Sequence, residues 1–282
     1  MISIIICSRR ADISSELKDN IASTIGCEYE LCVIDNSHND YSIFSAYNEG
    51  IARATGDVLC FVHDDVLFRT TDWGTIISEI FTDSSIGLIG FAGAHFLPQT
   101  PLYWWSSPYI SQYNLQADKG VQLKNENIEF FNGDLADVVM VDGLCMFMPK
   151  SLFEHVRFDD TYYSGFHAYD MDISMQVIQK GYRVCVSRSI VIEHFWSESS
   201  FENINYMKKL YTNVQLFCQK WQHQLPISRG IDISTHTLEC LNQLCAQAYD
   251  AKKARQSYAY RIGRTILTPI NALKKLFAKN HQ

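Results

Sequence analysis

The chain has 282 residues, 47% of them apolar and 20% charged, with a formal net charge of −7; these proportions describe a globular protein with a substantial core and exclude intrinsic disorder. No apolar run approaches the roughly 20 residues needed to span a bilayer, and the opening MISIIICSRR reaches two arginines after a short apolar stretch, so neither a signal peptide nor a membrane anchor is expected. The charge is uneven: residues 251–282 hold eight lysines and arginines and no acid, leaving 16 basic residues against all 31 acidic ones elsewhere. Such a tail is expected to meet something anionic, with nucleic acid and a membrane surface as the usual choices. The nine cysteines include no C-x-x-C pair and read as reduced core thiols of a cytoplasmic protein.

In chain order, apolar runs at 3–7, 29–35, 57–65, 86–93, 138–149 and 182–195 predict strands. The polar stretches Ser14–Thr24 and Tyr41–Thr55 predict helices between the first three, and this alternation predicts a parallel sheet with right-handed crossovers. Within DVLCFVHDDVLF, Val58 to Val62 fit a strand covered on both faces, and the run ends in His63, Asp64 and Asp65. In open α/β sheets ligands bind beyond the carboxyl ends of the strands, so this triplet is a candidate site. The segment from Pro98 to about Asp137 reads as an aromatic loop with Tyr103, Trp104, Trp105, Tyr109 and Tyr113. In GFHAYDMDISMQVIQKGYRV the pattern turns helical, with Ile173, Val177 and Ile178 on one face and Gly181 placed to close the end. Beyond Ser200 the chain reads as helices, giving an expected α/β domain over 1–200 and a helical extension over 201–282.

Neither G-x-G-x-x-G nor G-x-x-x-x-G-K-[ST] follows the first strand, where CSRRAD stands instead, which disfavours dinucleotide oxidoreductases and P-loop enzymes. Ser8 and Arg9 at that strand end are candidates for contacting a nucleotide, or are simply surface groups. Asp35 ends the second strand, where it either accepts hydrogen bonds from a ribose or base or opens an Asp-Asn turn. Asp65 and His194 each end an apolar run, and together they offer ligands for a divalent cation whose shell diphosphate oxygens and water would complete. Asp170 and Asp172 stand two apart at a predicted helix start, so one can cap the helix while the other faces the cleft as a general base.

An apolar first strand, NEGIARATGDVLCFVHDD, VDGLCMFMPKSLFE and YDMDISMQVIQKGYRV followed by EHF occur in that order over most of residues 3–195. In this the chain resembles the inverting glycosyltransferases of family 2, with a GT-A fold: a Rossmann-like, mostly parallel sheet flanked by helices. The resemblance puts HDD in the place of the D-x-D motif. It implies that Asp65 and His194 bind the metal, Mn2+ or Mg2+, that Asp35 meets the nucleobase, and that His63 and Asp64 also face the nucleotide. An NEG turn at Asn48 to Gly50 would lie near the same pocket. Asp170 matches the catalytic base, and Asp142 and Gly143 fall where the family lines the donor and acceptor pocket; Asp172 is assigned there too. Trp104 and Trp105 are expected either to stack on an acceptor sugar or to fill space beneath the loop.

Two departures are visible. His63 replaces the usual first aspartate, which shifts metal preference toward Mn2+ or changes the ribose contact; Tyr169 replaces the acid that often precedes the base, which alters the surroundings of Asp170. The implied reaction is metal-dependent transfer from a nucleotide sugar, UDP-linked as the first expectation, to a glycan or lipid-linked hydroxyl in surface polysaccharide synthesis. A sugar-phosphate nucleotidyltransferase and a binding or scaffold protein without catalysis are the alternatives, the first lacking its glycine-rich loop here. Nucleic acid is not expected as a partner once the resemblance is taken into account. In the tail, Ile262, Ile266, Ile270, Leu273 and Phe277 recur at helical spacing among basic residues. That pattern predicts a helix, broken near Pro269, lying in an anionic membrane interface at the cytoplasmic face or packing on protein.

Overall fold

The computed structural model describes residues 1–113, 115–118, 121–122, 131–195 and 204–256. The chain opens with β1 (Ile2–Ser8), α1 (Ser15–Thr24), β2 (Tyr29–Asp35), α2 (Ile43–Arg53) and β3 (Val58–Val62), followed by β4 (Val66–Phe68), α3 (Trp73–Ile80), β5 (Ile86–Gly90) and β6 (Ala92–Ala94). Short strands come next: β7 (Phe96–Leu97), β8 (Ile110–Gln112), β9 (Leu115–Asp118), β10 (Val121–Gln122), β11 (Leu135–Asp137) and β12 (Met140–Val141). Then come β13 (Cys145–Pro149), α4 (Tyr169–Gln179), β14 (Arg183–Ser187), β15 (Ile192–His194), the helix Ile204–Lys220, β16 (Ile227–Ser228) and the helix Thr235–Gln256.

The main sheet has seven strands in the order β11-β14-β5-β13-β3-β1-β2. β1 runs parallel to both β2 and β3, and β5 parallel to β14, while β13 and β11 run antiparallel to their neighbours. Alternation along each strand feeds two cores. Ile5, Leu59 and Phe61 point into one with α2, α4 and the helix Ile204–Lys220; Ile4, Ile6, Cys60 and Val62 point into the other with α1 and α3. The expected covering of β3 on both faces is therefore what the side chains show.

The first helices start where their caps dictate. Ser14 accepts from the Leu17 N–H, and Ser42 and Ser45 form a reciprocal capping box on α2. α4 ends as predicted at Gly181, whose φ of +87° suits a residue without a Cβ. Three of the predicted strands are broken. The 86–93 run divides into β5 and β6, the 138–149 run into β12 and β13, and the 182–195 run into β14 and β15, which join different sheets. The last break lies at a serine turn, where Ser187 Oγ accepts from the Ser189 N–H at 3.2 Å. Parts of the segment taken as a loop, from Pro98 to Asp137, carry the short strands β8 to β11 instead, whose backbone groups pair with edges of the main and small sheets.

Leu210, Val214 and Phe217 of the helix Ile204–Lys220, with Trp221 just beyond it, belong to the same core as α2 and α4. The expected boundary near residue 200 lies outside the described residues, as do Ile262, Ile266, Pro269, Ile270, Leu273 and Phe277 of the basic tail. Among the described residues no helix is long and apolar enough to cross a membrane.

Candidate active site

Three parallel strand ends stand side by side at one edge of the main sheet. Ser8 pairs with Asp35 in register, and β3 delivers His63 on the other side of β1. Ser8 is fully buried and its Oγ accepts from the Arg10 N–H at 3.1 Å, while Arg9 stays exposed at the rim. The Asp35 carboxylate is exposed and is held below its ordinary pKa by hydrogen bonds from Ser37, whose N–H lies 2.9 Å away. Asn48 stands elsewhere. The NEG segment is not a turn but part of α2, and Asn48 donates to the Phe158 carbonyl at 2.8 Å. Gly50 is required there because a Cβ would overlap Ile5 of β1, so helix packing and not a nucleotide pocket explains this glycine.

After β3 the chain turns through His63, Asp64 and Asp65 and reverses into β4, which pairs antiparallel with β15 so that His194 faces Val66. That register, and not the end of a main-sheet strand, brings His194 to Asp65: its Nε2 stands 3.3 Å from Asp65 Oδ1. The Phe195 N–H fastens the corner by donating to the Asp65 carbonyl at 2.9 Å. His63 completes a group, since one ligand atom each from His63, Asp65 and His194 lie within 4.8 Å of one another. Asp64 is half-buried beside them.

The donor chemistry of this triad suits a divalent cation. Asp65 Oδ1 is buried, and its nearest partner among the described residues is the His194 Nε2 at 3.3 Å, a contact too loose to satisfy it fully; a buried carboxylate oxygen left this way calls for a positive partner. Burial pushes the Asp65 pKa up, but the bond and charge of His194, then the charge of His63, outweigh it and hold the group below its ordinary value. Burial and the charge of His194 lower His63 to about 4. The ring is therefore neutral at pH 7, the form that can ligate a metal.

Next to the triad lies a pair of carboxylates. Asp142 and Gly143 form the turn between β12 and β13, and α4 begins beside it. Asp170 Oδ2 accepts from the Gly143 N–H at 3.2 Å and Oδ1 from its own neighbour Met171 at 2.8 Å. Burial, then the negative charge of Asp142, raise Asp170 to about 7. Asp142 is raised as well, by burial acting against the attraction of His194. A buried carboxylate poised near neutrality beside a group of candidate metal ligands has the properties of a general base.

Tyr169 joins the two groups. Its hydroxyl lies 2.7 Å from His63 Nε2, and its ring occupies the space that a side chain at residue 143 would need. The sequence marked Tyr169 only as a missing acid. The available signal was a tyrosine at a buried helix start, which must find a partner for its hydroxyl.

Three expectations at this site need correction. Neither Asp170 nor Asp172 caps α4, whose N-cap is Ala168 in the left-handed region with no side-chain bond. Asp172 does not line the pocket. Two helical residues are about 200° apart around the axis, which turns Asp172 into the protein, where it is 1% exposed and binds Tyr163, Gln176, Lys220 and Trp221. The tryptophan pair is divided too: Trp104 is buried in the core and fills space, while Trp105 is exposed and stacks on Tyr103.

The model of a glycosyltransferase-like family matches residues 3–258. No curated protein matches the sequence. Among solved structures, the crystal structure of GalNAc-T7 with UDP, GalNAc and Mn2+ is similar over 93% of this chain and 57% of its own, with 14% identity and a TM-score of 0.50. The mannosyltransferase PcManGT from Pyrobaculum calidifontis, in complex with GDP-Man and Mn2+, aligns over 96% of this chain and 79% of its own at 12% identity and a TM-score of 0.48. S. aureus TarS 1–349 aligns over 69% of this chain and 60% of its own at 13% identity and a TM-score of 0.46. The chain thus spans little more than half the length of the first of these.

Proposed function

The chain belongs to this glycosyltransferase-like family and has a GT-A fold, and we propose that it transfers a glycosyl group from a nucleoside-diphosphate sugar to a hydroxyl acceptor with inversion. The observation that carries this reading is the convergence, across the single residue Tyr169, of a His63–Asp65–His194 cation site and a carboxylate with a pKa of about 7. Ser8, Arg9, Asp35 and Asp64 stand along the strand ends where a nucleoside would lie. A divalent cation held by Asp65 and His194, with His63 beside them, would supply positive charge against the diphosphate. The neutral His63 imidazole and the under-satisfied carboxylate oxygen of Asp65 are what prepare these residues to hold it.

Asp170 is the group that takes the proton from the acceptor hydroxyl. The Gly143 and Met171 N–H groups fix both of its oxygens, and burial, then the charge of Asp142, keep its basicity near neutral pH. One base acting on one attacking hydroxyl gives a single displacement, so an α-linked donor would yield a β-glycoside. The acceptor class, a glycan or lipid-linked sugar in polysaccharide assembly, rests on the likeness to the family, and its place at the cytoplasmic face of a membrane on the basic apolar pattern of residues 251–282. Pelleting of the full chain with anionic but not zwitterionic vesicles, lost when residues 257–282 are removed, is the expected result; binding that ignores lipid charge would overturn the membrane part.

UDP and Mn2+ are the first probes, being what the GalNAc-T7 crystal structure contains. Calorimetric titration of UDP and GDP, with and without Mn2+, on the wild type and on Asp65→Ala tests the reading. Metal-dependent binding of one nucleotide, lost in the variant, is expected; no binding of either under any condition would overturn it.

A further inference from the structure

The exposed large apolar side chains among the described residues are Met1, Trp105, Tyr162, Phe166, Phe195 and Leu244. Two of them flank the cation site. Phe195 follows His194 directly, and the Phe166 ring lies 5.4 Å from the His63 ring and 6.0 Å, edge-on, from that of Tyr169. Phe166 is 46% exposed, yet its loop is held firmly. The carbonyls on either side, of Ser164 and His167, both accept from the buried Asn213 amide, at 2.7 and 2.8 Å, and the Gly165 carbonyl accepts from the Ile43 N–H at 2.9 Å.

Two residues of this loop have left-handed backbones. Gly165 has a φ of +78° and Ala168 a φ of +69°, the second an unfavourable conformation for a residue with a Cβ. Strain kept in place by surrounding hydrogen bonds is characteristic of segments that present a functional group. What this loop presents to solvent is a phenyl ring, four residues before Asp170, while its neighbour His167 is buried.

We propose that Phe166 is the stacking platform for the pyranose ring that carries the attacking hydroxyl. The inference rests on the glycosyl-transfer reading and adds to it the residue that positions the acceptor. A pyranose has an apolar C–H face and a rim of hydroxyls, so an aromatic ring fixes its plane while leaving the hydroxyls free to reach a base. The acceptor is the sugar assigned to Phe166 because Asp170, on the same pinned segment, acts on the acceptor's hydroxyl. Trp105 is the aromatic that the sequence offers for this role, but its described ring contacts are Tyr103 and Trp104, not the triad or α4.

The test is saturation-transfer NMR on the full chain with UDP and diamagnetic Mg2+, using the methyl β-glycosides of glucose, galactose, mannose and N-acetylglucosamine as probes. Irradiation of aromatic protons is expected to reach the ring protons of one face of at least one glycoside. Phe166→Ala should weaken that glycoside by about 10-fold and Phe166→Tyr by no more than about 3-fold, with UDP affinity unchanged in both. Equal glycoside binding by Phe166→Ala, or no glycoside binding by the wild type, overturns the proposal. If Phe166→Ala instead weakens UDP-sugar more than UDP while sparing the glycoside, the ring serves the donor and the assignment is wrong. Failure of the glycosyl-transfer reading registers separately, as absence of metal-dependent UDP binding in the wild type.

Discussion

Replacing Asp172 with alanine is expected to destabilise the protein by about 3–5 kcal/mol without altering nucleotide binding by the protein that remains folded. The carboxylate is 1% exposed and takes hydrogen bonds from Tyr163 Oη at 3.0 Å, Gln176 Nε2 at 2.7 Å and Trp221 Nε1 at 2.8 Å, with Lys220 Nζ 2.9 Å away. Alanine would leave the buried Tyr163 and Trp221 donors without an acceptor, at about 1–3 kcal/mol each. Lys220 would not be stranded, because Asp159 lies 2.8 Å from it and the rings of Tyr162, Tyr163 and Trp221 surround it; the two stranded donors therefore set most of the cost, and the total stays within about 3–5 kcal/mol. Asp172→Asn, which keeps the shape and an acceptor oxygen, should lose about 1–2 kcal/mol. Urea unfolding followed by tryptophan fluorescence measures both. A loss below about 1 kcal/mol for alanine would refute the argument, and intact stability with lost UDP binding would return Asp172 to the pocket.

Asp170→Asn should lower transfer by about 10²–10⁴-fold, and wild-type activity should rise with pH through about 7 as Asp170 ionises. Because the folded pKa lies above the unfolded one, the wild type loses stability as pH rises from about 4 through about 7. Asp170→Asn should therefore gain on it by at most about 4 kcal/mol at pH 8 and almost nothing at pH 4; an equal difference at both pH values would count against the buried, raised carboxylate. Tyr169→Phe removes the hydroxyl from His63 Nε2 and should weaken Mn2+ binding by about 10–100-fold in calorimetry, whereas unchanged or tighter binding would show that the tyrosine does not orient the imidazole.

Much of the framework could be read from the chain because it depends on local pattern. The continuous apolar run Val58–Val62 indicated the two-faced burial of β3, the polar stretches between strands marked α1 and α2, and Gly181 marked the end of α4. The edge positions of Ser8, Asp35 and His63 followed from parallel pairing. Where the pattern misled, two or more short elements had been fused into one. Apolar composition continues across Asp142–Gly143 and across Arg188–Val191, although the backbone turns there, since a turn residue between buried segments can itself be buried or flanked by apolar groups.

The contrast between Asp170 and Asp172 shows what sequence could not supply. Both are acids in the first turn of one helix, and nothing in AYDMDIS distinguishes them. Their fates are set by long-range partners: Gly143, 27 residues before Asp170, donates to one, and Lys220 and Trp221, 48 and 49 residues after Asp172, hold the other. The same holds for His194, which reaches Asp65 through a strand register no local pattern encodes. A chemical group is legible from its residue type, but its task depends on which distant backbone it is set against. In this protein the Asp142–Gly143 turn sets those surroundings, because it holds Asp170 on one side and, through the space left by a missing Cβ, admits the Tyr169 ring whose hydroxyl reaches His63 on the other.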